Sequence, residues 1–206
     1  MLGVYNYTVI LTYLGMLVSF FGISFAVGGD LRSALTCLMI SGICDMFDGK
    51  IASIMVRTKA EKRFGIQIDS LSDLICFGVL PAMIVCQAAS KNQWTLAISG
   101  FYLLCALIRL AWFNVDEEER QETTQQPRTV YLGLPVTTVA LLLPMLAGIC
   151  GMAGWSLTWT APALLLVMAL AFLTPFPLKK PALLGKLGML VCGAAGFLVL
   201  LVGVHP

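Results

Sequence analysis

Charged residues are what this sequence has least of: 12% of 206 positions, against 59% hydrophobic. A soluble domain carries about 25% charged residues, so half of an ordinary solvated surface is missing. That shortage excludes a disordered chain and a nucleic-acid binder with a basic face. Histidine is reduced to His205, next to the final residue, where no role is expected of it. No CxxC pair occurs among the seven cysteines at 37, 44, 76, 86, 105, 150 and 192. Their odd number fits no disulfide framework, and they read as small apolar packing residues. The segment MLGVYNYTVILTYLG lacks both a positive stretch and a small-residue cleavage site, so it reads as the start of a retained helix. Strand-like alternation and internal repeats are also missing. The expected fold is therefore all-α, a polytopic membrane helical bundle forming a single domain over 1–206, with a mean hydropathy of +0.90.

A bilayer crossing takes roughly 20 mainly apolar residues. Such stretches run near 8–28, 32–56, 66–89, 94–113, 132–152, 158–175 and 183–204, the last two punctuated by Pro162, Pro175, Pro177 and Pro181. The even-numbered loops carry Arg57, Lys59, Lys62, Arg63, Arg120, Arg128, Lys179, Lys180 and Lys186, whereas the odd-numbered loops carry Arg32 and Lys91. By the positive-inside rule the even loops and the N-terminus are cytoplasmic and the C-terminus is on the far side. The acidic run from Asp116 to Glu119 is expected in a solvated cytoplasmic loop, and Trp94, Trp155 and Trp159 in an interfacial belt.

Against this apolar background four carboxylates stand out: Asp45 and Asp48 in the second stretch, Asp69 and Asp73 in the third. Each costs about 2.5–3.5 kcal/mol at mid-membrane and is a functional candidate for that reason. At about 100° per residue, Asp45, Asp48, Gly49 and Ala52 share one helix face, and Gly65, Asp69 and Asp73 share a face of the next. A short loop makes the two helices antiparallel, so the pairs converge towards the cytoplasmic side. Oxygen ligands without nearby histidine or cysteine suit Mg²⁺ or Mn²⁺. Two such ions about 3.5–4 Å apart are the usual clamp for displacement at phosphorus. The small residues Gly49, Ala52 and Gly65 fit either a ligand lying against the backbone or close helix packing. Arg109, at the cytoplasmic end of an apolar stretch, fits a carboxylate or phosphate ligand, or snorkelling to headgroups.

The string DMFDGKIAS…FGIQIDSLSD, Asp45 to Asp73, resembles the signature of the CDP-alcohol phosphotransferase family, D-x-x-D-G-x-x-A-R, a spacer, then G-x-x-x-D-x-x-x-D. Ser53 stands at the arginine position, and the spacer before Gly65 is eleven residues instead of the usual eight. Arg57 or Arg63, in this longer basic loop, fits either a phosphate contact in its place or a positive-inside anchor. The run DSLSD…FGVLPA is similar to the serine-using branch, as are Arg109-Leu-Ala-Trp-Phe-Asn114 and Tyr131-Leu-Gly-Leu-Pro135, although Trp112 replaces a second arginine.

The resemblance implies a six-helix core, here followed by a seventh C-terminal span, and a homodimer in the plasma (inner) membrane with its site facing the cytoplasm. It implies transfer of a phosphatidyl group from CDP-diacylglycerol to L-serine with two divalent ions. Asp45, Asp48, Asp69 and Asp73 would be the metal ligands and Asp73 also the base. Gly49, Ala52, Gly65, Arg57 and Arg63 would meet the CDP-lipid, and Arg109 the serine or a phosphate. Membrane lipid, and no nucleic acid, is the expected surrounding. The alternatives are a sister enzyme using glycerol 3-phosphate or inositol phosphate, and a cation transporter whose aspartates hold the permeating ion.

Overall fold

A computed structural model describes residues 3, 9–54, 58–89, 92–123, 130–179 and 183–204. Within them the chain builds α1 (Ile10–Gly28), α2 (Leu31–Ile54) and α3 (Lys59–Asp73), then a π-helical segment (Leu74–Val79) that runs directly into α4 (Leu80–Ala88). There follow α5 (Gln93–Thr123), strand β1 (Val130–Leu132), a 3₁₀ turn (Val136–Thr138) leading into α6 (Val139–Ala153), α7 (Leu157–Leu173), strand β2 (Pro177–Lys179) and α8 (Leu183–Gly203). Counting the α3–π–α4 rod once, seven helical rods follow the seven apolar stretches. Four helical stretches, Ile10–Gly28, Lys59–Ala88, Gln93–Arg120 and Val136–Ala153, are long and apolar enough to cross a membrane; Leu157–Leu173 and Val191–Gly203 are shorter apolar helices. α2 has 24 residues, about 36 Å of helix, but its apolar run is broken by the aspartates. The protein is a polytopic membrane helical bundle.

The first helix is inverted relative to one of a soluble protein. α1 turns Thr12, Gly15, Ser19, Gly22 and Ala26 inward and leaves Leu17, Phe20, Phe21 and Val27 exposed. Lipid solvates the large side chains, while small residues let backbones approach and short hydroxyls bond across the interface. The Ser41 hydroxyl of α2 is 2.8 Å from that of Ser19 and donates to the Gly15 carbonyl at 3.0 Å. A Cβ on Gly22 would lie 2.8 Å from the Cys37 Cβ. α1 ends at Gly29, whose φ of +87° suits glycine, and the amides of Gly29 and Asp30 close on the carbonyls of Ala26 and Phe25. That tight reversal makes α1 and α2 an antiparallel pair. α6 and α8 also meet through glycine: a Cβ on Gly148 would lie 2.7 Å from the Val199 carbonyl carbon. The seventh rod is thus packed into the bundle. The core between the helices is filled by Leu35, Phe77, Leu80, Tyr102, Leu143, Leu165 and Met168.

Two boundaries and one pair of strands differ from the sequence reading. α3 starts at Lys59, seven residues ahead of the expected third stretch, because Thr58 and Glu61 form a capping box with bonds of 2.8 and 3.2 Å. α5 runs on to Thr123, so Asp116–Glu119 is helical, a correction to the expected loop; Arg120 Nε donates to Glu117 Oε2 at 2.9 Å within that extension. Two three-residue strands, β1 and β2, pair antiparallel with Tyr131 opposite Leu178, joining the loops on either side of the α6–α7 pair. Pro177 is tolerated at the start of this two-stranded ribbon because both strands are edges. The cysteines carry free thiols, as expected. Trp94, Trp155 and Trp159 are exposed at the start of α5 and around the α6–α7 turn.

Candidate metal centre

α2 and α3 bring their carboxylates together. Ligand oxygens of Asp45, Asp48 and Asp69 lie within 4.8 Å of one another. Two oxygens on opposite sides of one Mg²⁺ are separated by about 4 Å, so the spacing suits oxygens grouped around a small hard cation. Asp48 is buried and accepts a hydrogen bond from the Thr12 hydroxyl of α1 at 3.2 Å. Asp73 falls outside that tight trio. One helical turn beyond Asp69, it lines with Asp45 and Asp48 a cavity of about 10 Å³, walled also by Thr12, Ser41, Cys44 and Ser72. That is about the least space that admits one water. The cavity's lining holds three carboxylates and no lysine or arginine. Like charges so close in an apolar surround need an external cation or protons. The carboxylate oxygens fit Mg²⁺ or Mn²⁺, but the thiols of Cys44 and Cys76 also line the cavity, a correction to the expectation of no cysteine nearby.

The carboxylate helices are held from both sides. Ser72, beside Asp73, donates to the Thr12 carbonyl at 3.3 Å. Ser70, beside Asp69, donates to Asn114 Oδ1 of α5 at 2.7 Å, an interaction spanning 44 positions. Immediately after Asp73 the helix widens to π geometry, which shifts its hydrogen-bond register. The buried Tyr102 hydroxyl donates to the Phe77 carbonyl in that segment at 2.5 Å. Sequence reasoning passes over Thr12 altogether, since a lone hydroxyl in an apolar run carries no signal of what it faces. Asn114 is visible only as the last letter of a string, without its partner.

The remaining expected residues fall out as follows. A Cβ on Gly49 would meet nothing within 4 Å, so among the described residues no helix packs there and the space is open to a ligand. Gly65 lies half-buried on α3, one turn before Asp69. Arg63 is exposed and 3.8 Å from Glu118 on the α5 extension. Arg57 lies outside the described residues, as do the side chain of Ala52 and all of His205.

Arg109 is not among the aspartates. It is 7% exposed and forms part of a separate cleft of about 300 Å³ between α5, β1 and the end of α7. Its guanidinium carbon is 5.7 Å from the ring centroids of both Trp112 and Phe113. Gly133, at φ +77°, carries the chain over it: a Cβ there would be 3.6 Å from Arg109 Nε and 3.0 Å from the Thr174 carbonyl oxygen. The glycine in Tyr131-Leu-Gly-Leu-Pro135 is therefore required by conformation and by space.

A family model described as CDP-alcohol phosphatidyltransferase matches residues 5–176. The CDP-diacylglycerol–serine O-phosphatidyltransferase of Saccharomyces cerevisiae is 34% identical over 146 residues, 65% of this chain and 51% of that protein. The protein of the same name from Mycobacterium bovis is 24% identical over 175 residues, 82% of this chain and 59% of its own length. An archaetidylserine synthase of Methanothermobacter thermautotrophicus is 31% identical over 107 residues, covering 52% of this chain and 46% of the relative. The chain thus spans about half the length of the curated relatives it matches. The matched region takes in α1 to α7, the aspartates and the Arg109 cleft, and the chain belongs to the CDP-alcohol phosphatidyltransferase family.

Proposed function

We propose that this protein transfers the phosphatidyl group of CDP-diacylglycerol to the hydroxyl of L-serine, giving phosphatidylserine and CMP. The observation that carries the reading is the grouping of Asp45, Asp48 and Asp69 within 4.8 Å beside the open face at Gly49. The names of the relatives support serine as acceptor. Asp45, Asp48, Asp69 and Asp73 would hold two divalent cations, Mg²⁺ or Mn²⁺. Bound there, such cations offset the charge of the diphosphate and of the departing CMP.

The chain's own groups do the rest. Thr12 fixes the Asp48 carboxylate by its hydrogen bond. Gly49, Ala52 and Gly65 leave room for the nucleotide head, and Arg57 or Arg63 meets its phosphates. Asp73 takes the proton of the serine hydroxyl as the serine oxygen–phosphorus bond forms and the phosphorus–oxygen bond to CMP breaks. Arg109 binds a carboxylate or phosphate away from the aspartates. The basic even-numbered loops support a cytoplasmic site in the plasma membrane. A homodimer belongs to the same proposal.

The test is CMP release from CDP-diacylglycerol by purified protein with Mn²⁺ or Mg²⁺, comparing L-serine, glycerol 3-phosphate and inositol phosphate. Serine-dependent release that stops on chelation is expected. Release with another acceptor alone would replace serine, and no release from folded protein with any acceptor would revive the transporter reading.

A further inference from the structure

Apart from its own π continuation, α3 packs chiefly on α1 and α5 among the described residues. Towards α2 it presents Asp69, which meets the carboxylates of Asp45 and Asp48. Three such groups repel one another until a cation or protons join them, so α2 alone does not hold α3 in place. The hold comes from the other helices. On the α1 side Ser72 donates to the Thr12 carbonyl. On the α5 side there are two contacts, Ser70 to Asn114 at 2.7 Å and Arg63 to Glu118 at 3.8 Å.

The two α5 contacts share one seam. Asn114 and Glu118 are about one turn apart on α5, and Arg63 and Ser70 about two turns apart on α3, within about 20° of one azimuth. They pair in opposite order, as antiparallel helices require. Measured from Arg63, Asp69 is turned away by about 120° and Gly65 by about 160°. Arg63 therefore belongs to the α5 face of its helix, not to the face that carries Gly65 and Asp69 to the site. We propose that Arg63 and Glu118 are positioning residues. Their ion pair and the Ser70–Asn114 bond make residues 114–123 of α5 a strut that holds Asp69 beside Asp45 and Asp48 against their mutual repulsion. The inference rests on the metal-binding reading of the aspartates, and it takes Arg63 out of the choice for the nucleotide phosphates. It also gives the part of α5 beyond its apolar stretch a task.

The two side chains are 69% and 50% exposed, so breaking the pair should leave the melting temperature nearly unchanged. Its effect on the metal site is read without substrate, by titrating Mn²⁺ into the purified protein and following free Mn²⁺ by electron paramagnetic resonance. Arg63→Glu is expected to weaken Mn²⁺ binding about fivefold, the most that one exposed pair supplies. The direction separates the strut from simple electrostatics: through space alone, an anion in place of a cation would tighten Mn²⁺ binding. Glu118→Arg should weaken binding as well. Arg63→Glu combined with Glu118→Arg restores the pair with its charges exchanged, and should return the affinity to within about twofold of the unsubstituted protein. Binding unchanged or tightened in Arg63→Glu, or no recovery in the exchanged pair, overturns the proposal. A KM for CDP-diacylglycerol that rises in Arg63→Glu and is not restored by the exchange also overturns it, by making Arg63 a phosphate contact. An unsubstituted protein that binds no Mn²⁺ removes the metal reading and the strut with it, whereas Mn²⁺ binding indifferent to both single variants removes the strut alone.

Discussion

Asp73 occupies the last position of α3, where the helix gives way to the π segment, and it lines the small cavity without joining the tight trio of Asp45, Asp48 and Asp69. A carboxylate beside a metal site but outside its closest cluster is suited to take up a proton. Asp73→Asn keeps the shape and removes the proposed base, so serine-dependent CMP release should fall by about 10²–10⁴-fold while thermal stability is retained. Turnover near the unsubstituted rate would remove Asp73 from the mechanism. Asn114 belongs to the same scale. Its Oδ1 holds Ser70 and, through it, the neighbouring Asp69. Asn114→Leu should raise the Mn²⁺ concentration needed for half-maximal activity, and Asn114→Asp, which keeps an acceptor, should restore most of it. A drop in stability with no change in that metal requirement would reduce Asn114 to packing. The four aspartates were legible because intramembrane charge is costly and the spacings of three and four define helix faces. The Thr12–Asp48 bond was not, because it spans 36 positions and depends on how α1 lies on α2.

Elements were legible where hydrophobicity alone decides them and less so where local hydrogen bonding does. Expected stretches and observed rods correspond, yet α3 begins early because Thr58-x-x-Glu61 caps it, a pattern written in the sequence and outweighed by attention to apolar runs. α5 outlasts its apolar stretch because Glu117 and Arg120 pair one turn apart and Glu118 reaches Arg63. Neither contact registers in a hydropathy count. The π segment had no signature at all. Tyr102 from α5 reaches it, donating its hydroxyl to the Phe77 carbonyl in a fully buried setting. Tyr102→Phe should cost about 1–3 kcal/mol, the penalty for a buried carbonyl left without its donor. Chemical denaturation in mild detergent measures it. A loss below a few tenths of a kcal/mol would mean that the carbonyl finds another donor.

For the whole molecule, the fold follows from one demand of the bilayer: backbone groups must be satisfied within the helices, and large side chains may face outward. α1 turns small and hydroxylic residues inward, large apolar side chains such as Phe77, Tyr102 and Leu143 fill the core, and the carboxylates of α2 and α3 gather at one end. The ribbon of β1 and β2 and the Arg109 cleft were illegible because both are made by loops meeting after the helices have packed. The central claim is that the carboxylates of α2 and α3 exist to hold divalent cations. Electron paramagnetic resonance of Mn²⁺ with the purified protein tests it most directly, without any substrate or assay of turnover. Two bound Mn²⁺ per chain are expected, with affinity reduced at least about tenfold in Asp45→Asn and in Asp69→Asn. No tightly bound Mn²⁺ in the folded protein, or binding unchanged in both variants, would contradict the account.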